Sequence, residues 1–325
     1  MDESVDALMR DYQGEVPGAS VLVIHDGKPV VSRSYGYADL EARVAATPQT
    51  NYRLASVSKQ FTAAAVLLLA EDGRLGLDDP VRKWLPTLPA SADAVTLKHL
   101  LTHTSGLVDY EDVMAPDATV QVHDADVLHL LESQDRTYFS PGSEYRYSNS
   151  AYALLALIVE KASGQRYATF LRERIFAPLG MDDTVAYEQG VSTVANRAYG
   201  YSLADGEWQR TDQSSTSAVL GDGGIYSSIA DLAKWDAALY DDRLLSDASR
   251  KLAFTPWTKT DDPTVEYGYG WRITGETVWH SGETIGFRNV IVRYPQRGLT
   301  VVVLTNRDDP EPYRKALQIA ALFLP

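Results

Sequence analysis

Hydrophobic and polar positions sort the chain into strand-like ends and a helical middle. Residues 20–25 are almost continuously apolar and β-branched, which predicts a strand. Asp26-Gly27-Lys28 follows as a hairpin turn, and residues 29–38 read as the return strand. Four more strand-like runs crowd the last quarter, at 267–273, 276–280, 287–294 and 299–305. Pro295-Gln296-Arg297-Gly298 supplies the turn between the last two. The middle instead carries helical runs. Residues 95–107 read as a short helix entering a turn, and 124–132, 150–163, 166–176 and 229–240 read as longer helices. Gly164 closes one of these and Pro178 stops another. Residues 2–13 and 311–324 read as terminal helices. The expected fold is α+β, an α/β sandwich. An antiparallel sheet is built from both chain ends and flanked by helices, and a mostly helical region is inserted. We expect one domain over 1–325, with the sheet region about 1–75 and 250–325 and the helical region about 76–249.

One stretch departs from a simple amphipathic pattern. Ser56-Val57-Ser58-Lys59 leads into an Ala- and Leu-rich run, 62–70, that is free of Gly and Pro. It is apolar almost all round, so the spacing predicts a buried helix ending near Asp72-Gly73. Ser56 then sits at or just inside the helix N-terminus, with Lys59 one turn on and on the same face. A serine hydroxyl becomes a nucleophile when a nearby base takes its proton. A lysine held in a dry pocket has its pKa lowered and can be that base. Free N–H groups at the helix start can stabilise an oxyanion. A capping serine followed by a snorkelling lysine has the same spacing.

Two more motifs carry similar double readings. Tyr147-Ser148-Asn149 precedes a helix. A tyrosine beside a cation can lose its proton and act as a base, and an asparagine amide can both donate to and accept from a peptide-like substrate. Equally, its Ser or Asn can cap the helix. His280-Ser281-Gly282 falls at the end of a predicted strand, where a glycine lets a substrate backbone approach and the Glu283 N–H can complete an oxyanion hole.

Composition narrows the classes. Lys plus Arg number 30 and Asp plus Glu 44, a formal charge of −14, which disfavours a nucleic-acid partner. No apolar run reaches the length of a membrane span. The acidic N-terminal residues lack the basic and apolar regions of a signal peptide, so the chain is read as cytoplasmic or as a leader-trimmed secreted form. With no cysteine, thiolate catalysis and disulfides are excluded. His99 and His103 are four apart but have no evident third ligand, so we read them as structural and expect no metal and no cofactor. No G-x-S-x-G elbow occurs.

In order, S-x-x-K, Y-x-N and [KH]-[ST]-G resemble the serine β-lactamase-like and penicillin-binding hydrolases, in the branch of class C β-lactamases, D-Ala-D-Ala carboxypeptidases and family VIII esterases. Further marks are residues 100–107, Pro141-Gly142, Gly223-Gly224-Ile225-Tyr226-Ser227 and Gly268-Tyr269-Gly270-Trp271. The resemblance implies a covalent acyl-enzyme on Ser56, with Lys59 and Tyr147 sharing the proton traffic and Tyr147 acting as base toward water. It implies that Asn149 binds the substrate amide, that Ser56 and Glu283 N–H groups form the oxyanion hole, and that His280, Ser281 and Gly282 line the substrate site. His280 replaces a lysine found in most β-lactamases. A histidine of pKa about 6.5 is mostly neutral at pH 7, which weakens anchoring of an anionic β-lactam and favours an esterase or D-amino-acid peptidase. On that reading, activity should change between about pH 5.5 and 8 through His280. A true class C-type β-lactamase and a non-catalytic penicillin-binding scaffold remain the alternatives. Acyl and leaving groups are left to the loops around 108–124, 183–222 and 255–266.

Overall fold

The computed structural model describes residues 2–325. A first helix, α1 (Asp2–Leu8), is followed by a tighter 3₁₀ turn at Arg10–Tyr12, so the expected helix over 2–13 is broken after its second turn. Strands β1 (Ala19–His25) and β2 (Lys28–Tyr35) form the expected hairpin. Helix α2 (Lys59–Glu71) is buried at every position from Lys59 to Leu69, as its all-round apolar pattern requires. The helical middle follows, with α3 (Asp124–Glu132), α4 (Asn149–Ser163), α5 (Ile229–Ala238) and α6 (Asp247–Phe254) as its longer members. Gly164, at φ 72°, closes α4 in the left-handed conformation that glycine tolerates.

The last quarter supplies strands β3 (Thr258–Lys259), β4 (Glu266–Tyr267), β5 (Arg272–Thr274), β6 (Thr277–Thr284), β7 (Phe287–Tyr294) and β8 (Leu299–Thr305), and helix α7 (Tyr313–Ala321) follows. They join the first hairpin in one eight-stranded sheet, ordered β3-β4-β5-β6-β7-β8-β1-β2, with every neighbouring pair antiparallel. The sheet is therefore assembled from the two ends of the chain.

Two hydrophobic layers sandwich it. Every residue of β8 is buried, and the period of two sends Leu299, Val301 and Val303 to one face and Val302 and Leu304 to the other. The first face packs under α1 and α7 through Val5, Met9, Ala316 and Ile319. The second packs against α2 and the helical middle. That second layer positions the site, because α2 runs beneath the sheet and its N-terminal end emerges beside β6.

Candidate active site

Ser56 lies in a 3₁₀ turn, Ala55–Ser58, that feeds directly into α2. Ala55 holds φ at 51°, a left-handed conformation seldom taken by a residue with a Cβ and often found at functional positions. Long-range contacts enforce it. Tyr52–Arg53 pairs antiparallel with Tyr226–Ser227, the Leu54 N–H donates to the Ile225 carbonyl at 2.8 Å, and Asn289 Nδ2 donates to the Arg53 carbonyl at 2.7 Å. The turn also leans on β6. A Cβ on Gly282 would stand 2.1 Å from the Leu54 carbonyl oxygen and 3.2 Å from the Ser56 nitrogen, so only glycine fits. The glycine expected to admit a substrate backbone thus first admits the nucleophile's own turn.

Lys59 is completely buried and its Nζ has three partners. It lies 2.8 Å from Ser56 Oγ, 2.8 Å from Asn149 Oδ1 and 2.9 Å from the Asp222 carbonyl oxygen. A neutral amine fits this set well: two N–H groups donate to the two carbonyl oxygens, and the lone pair accepts the Ser56 hydroxyl proton. Burial lowers the Lys59 pKa toward neutrality; Asp222 pulls it back up and Arg272 pushes it further down.

Tyr147 and Asn149 arrive together at the start of α4. Ser148 caps that helix by accepting from the Ala151 N–H at 3.0 Å, so the motif serves capping and site at once. His103 holds it in place. Its Nδ1 accepts the Ser148 N–H at 2.9 Å, and its ring lies 4.3 Å from that of Tyr147. His103 is buried, with its pKa driven well down by desolvation, so it is a neutral strut. His99 instead caps its own short helix, its Nδ1 accepting the Thr96 N–H at 3.1 Å. Lys59 Nζ stands 4.7 Å from the Tyr147 ring centre and the Arg272 guanidinium 5.2 Å. Despite these cations, desolvation of the hydroxyl raises the Tyr147 pKa, outweighing the Ser56 hydrogen bond and Arg272. A resting tyrosinate, the state a base role requires, is therefore disfavoured.

His280, Ser281, Gly282 and Glu283 do not end a strand; β6 runs through them to Thr284, with Gly282 opposite Asn289 and Glu283 opposite Arg288. Glycine reads as a strand terminus in sequence but here marks a close crossing. His280 is only 1 % exposed. Its Nδ1–H donates to the Ser281 carbonyl at 2.6 Å and its Nε2 accepts the Tyr267 hydroxyl at 2.9 Å. Desolvation, then Arg272 and Lys59, hold its pKa well below the ordinary range. The expected change between about pH 5.5 and 8 through His280 is thus corrected: the ring stays neutral there. The permanent cation of this neighbourhood is Arg272 on β5, which lies outside the motif, pairs across the sheet with Trp279 of β6 and holds its guanidinium 5.2 Å from the Tyr147 ring centre.

Other cleft residues belong to none of the three motifs; of these only Tyr110 is singled out by the sequence, as one of its many tyrosines. Tyr110 and Glu111 come from a short helix, Tyr110–Val113, and Thr216, Ser217 and Asp222 from the stretch before 223. With Ser56 and Glu283 they line a cleft of about 80 Å³. Asp222 is 8 % exposed, and its Oδ2 accepts the Tyr110 hydroxyl at 3.0 Å. Its turn is capped from below by Asp124, which accepts the Leu220 and Gly221 N–H groups at 2.8 and 2.9 Å. Burial pushes the Asp124 carboxyl up to about 6. The one sequence clue was the setting Gly221-Asp222-Gly223-Gly224, an acid on a backbone free to approach closely: a Cβ on Gly221 would lie 2.3 Å from the Tyr152 carbonyl oxygen.

Comparison with known proteins fits this geometry. The family described as Beta-lactamase matches residues 2–324. Penicillin-binding protein 4* of Bacillus subtilis (strain 168) is 35 % identical over 321 residues, covering 93 % of this chain and 71 % of that protein. Protein flp of Staphylococcus aureus (strain MW2) is 31 % identical, and the chain spans 63 % of its length. Among solved structures, the octameric penicillin-binding protein homologue from Pyrococcus abyssi superposes with a TM-score of 0.87 at 30 % identity, over 99 % of this chain and 76 % of that one. EstCE1, described as a hydrolase with promiscuous acyltransferase activity, shares the fold at TM-score 0.83 and 23 % identity, over 98 % of this chain and 97 % of its own.

Proposed function

The chain belongs to the β-lactamase family, and from that premise we propose that it is a serine hydrolase acting through an acyl-enzyme on Ser56. The observation that carries the reading is the contact of Lys59 Nζ with Ser56 Oγ at 2.8 Å, made by a lysine whose other two partners are carbonyl oxygens. In the first half-reaction the Ser56 proton passes to Lys59 as Oγ bonds to the substrate carbonyl carbon. The N–H groups of Ser56 and Glu283 hold the oxyanion. The bond to the leaving group then breaks, and that group takes the Tyr147 hydroxyl proton, which the Lys59 ammonium replaces. Tyr147, kept protonated by desolvation, suits the acid better than the resting base. Water then repeats the sequence in reverse, releasing the acid and restoring Ser56.

The substrate is an ester or a D-amino-acid peptide in preference to a β-lactam. Glu111 and Glu283 line the cleft, while its arginine, Arg53, is buried and tied to the Ser217 carbonyl. His280 adds no positive charge. Such a wall disfavours an anionic ligand. The small cleft favours a short acyl group, with a longer chain left at its open mouth. Asn149 is the ligand for the substrate amide, next to Glu111.

The test is hydrolysis of p-nitrophenyl acetate by wild type and by Ser56→Ala, with intact mass after brief mixing. Turnover and an acyl adduct in wild type, both absent in the variant, are expected. Equal turnover by both proteins would overturn the assignment. No turnover and no adduct in either would favour a binding protein.

A further inference from the structure

Asp222 is a buried carboxylate that the reaction above does not use. Its side chain forms no ion pair among the described residues, and the only hydrogen bond its carboxylate oxygens accept there is from Tyr110. It is not a stray surface acid. It lines the same cleft as Ser56 and Asn149, its carbonyl accepts from Lys59, and Asp124 anchors the turn that carries it. A buried charge without a partner is expensive, so its retention beside a buried lysine calls for a reason.

We propose that the Asp222 carboxylate, held by Tyr110, is the buried counter-charge of Lys59, a positioning residue that stabilises the ammonium formed when Lys59 takes the Ser56 proton. The proposal rests on the reading of Ser56 as nucleophile. Its physical basis is simple. Proton transfer creates a cation in a dry pocket, where Coulomb attraction is far stronger than in water. An anion on the turn that already binds Nζ stabilises that cation without touching substrate. No electron or extra group is needed: the proton moves from Ser56 Oγ to Lys59 Nζ and later to the leaving group.

The surroundings make the sign clear. Tyr110 and Glu111 face the pair from their short helix, Asp124 from α3, Tyr147 from the start of α4 and Arg272 from β5, with the neutral His103 and His280 behind. Asp222 raises the Lys59 pKa, and Arg272 opposes it. Burial in turn raises that of Asp222, so each group is drawn toward its neutral form and each restores the other's charge.

The experiment is the pH profile of kcat/KM for p-nitrophenyl acetate, followed at the wavelength where product absorbance is independent of pH. Wild type, Asp222→Asn and Tyr110→Phe are compared, with Ser56→Ala as control. The amide of Asp222→Asn keeps an acceptor for Tyr110, so a merely structural role survives the change. Lys59 must be neutral to act, so activity rises as pH passes its pKa. Without the anion that pKa falls, so the acidic limb should move to lower pH by about one unit, and the plateau should drop about tenfold through the weaker base. Tyr110→Phe leaves Asp222 less charged and should move the limb the same way by less. A limb that stays put or moves up in a folded Asp222→Asn protein overturns the proposal. If Asp222→Asn does not fold, Tyr110→Phe decides alone, a downward shift supporting and an unmoved limb overturning. Unchanged hydrolysis by Ser56→Ala would instead remove the acyl-enzyme reading itself.

Discussion

Two buried charge pairs divide this protein's sheet-and-helix layer, and they are built in opposite ways. Arg293 on β7 and Asp236 on α5 are almost wholly buried and meet at 2.7 Å, with Thr300 of β8 donating to the same carboxylate oxygen at 2.7 Å. The guanidinium also faces Tyr240, 4.8 Å from its ring centre. Lys59 and Asp222 share a comparable burial but no ion pair. The first pair locks a helix to the sheet through direct contact. In the second, lysine and carboxylate stand apart, and both are drawn toward neutrality. The contact pair fixes the position of both side chains, whereas in the proposed mechanism the lysine of the separated pair exchanges a proton with Ser56. The difference teaches that burial alone does not set apart the charge we propose as catalytic; the absence of a direct ion pair does.

Breaking the catalytic pair should cost the most activity. Lys59→Met should lower kcat/KM for p-nitrophenyl acetate by about 10³-fold or more, because no base remains for Ser56. Its stability in urea should fall by only about 1–3 kcal/mol, since the change leaves two buried carbonyl oxygens without their donor but breaks no direct ion pair. A large fall in the urea midpoint would place Lys59 with the structural pair instead. Asp236→Ala should do the reverse. Leaving Arg293 buried and alone should cost about 3–5 kcal/mol of unfolding free energy, read from urea titration, while the folded fraction keeps its activity. Thr300→Val removes one hydrogen bond to Asp236, and a loss of about 1 kcal/mol is expected by the same titration. The smallest effect belongs to His280. With its ring neutral throughout, the profile of kcat/KM between about pH 5.5 and 8 should keep its shape in His280→Asn, and a limb lost in that variant alone would show that His280 titrates after all.

Much of the fold could be read along the chain. The β-branched runs at 20–25 and 299–305 had one plausible state, and the apolar run after Ser56 was too uniform for a surface helix. Ser56, Lys59, Tyr147 and Asn149 stood out because their spacing has local meaning, and the fold does bring them together. Strand limits near glycine were less legible. Gly282 looked like a terminus, but β6 continues because the turn at Leu54 crosses over it.

Hydrophobic periodicity and motif order, being properties of neighbouring residues, were enough to determine the layered α+β architecture and to single out Ser56 and Lys59 as the candidate nucleophile and base. Protonation was decided elsewhere. Asp222 lies 163 residues from Lys59 in the chain, yet it raises the Lys59 pKa against the larger, opposite effect of desolvation, and Tyr110, 112 residues from Asp222, lowers that of the carboxyl. Tyr147 had the cations that favour a tyrosinate, and His280 had an ordinary titrating side chain, until folding took their surroundings out of water. Desolvation and Coulomb attraction depend on distance in space, so only the tertiary structure could determine which groups carry charge.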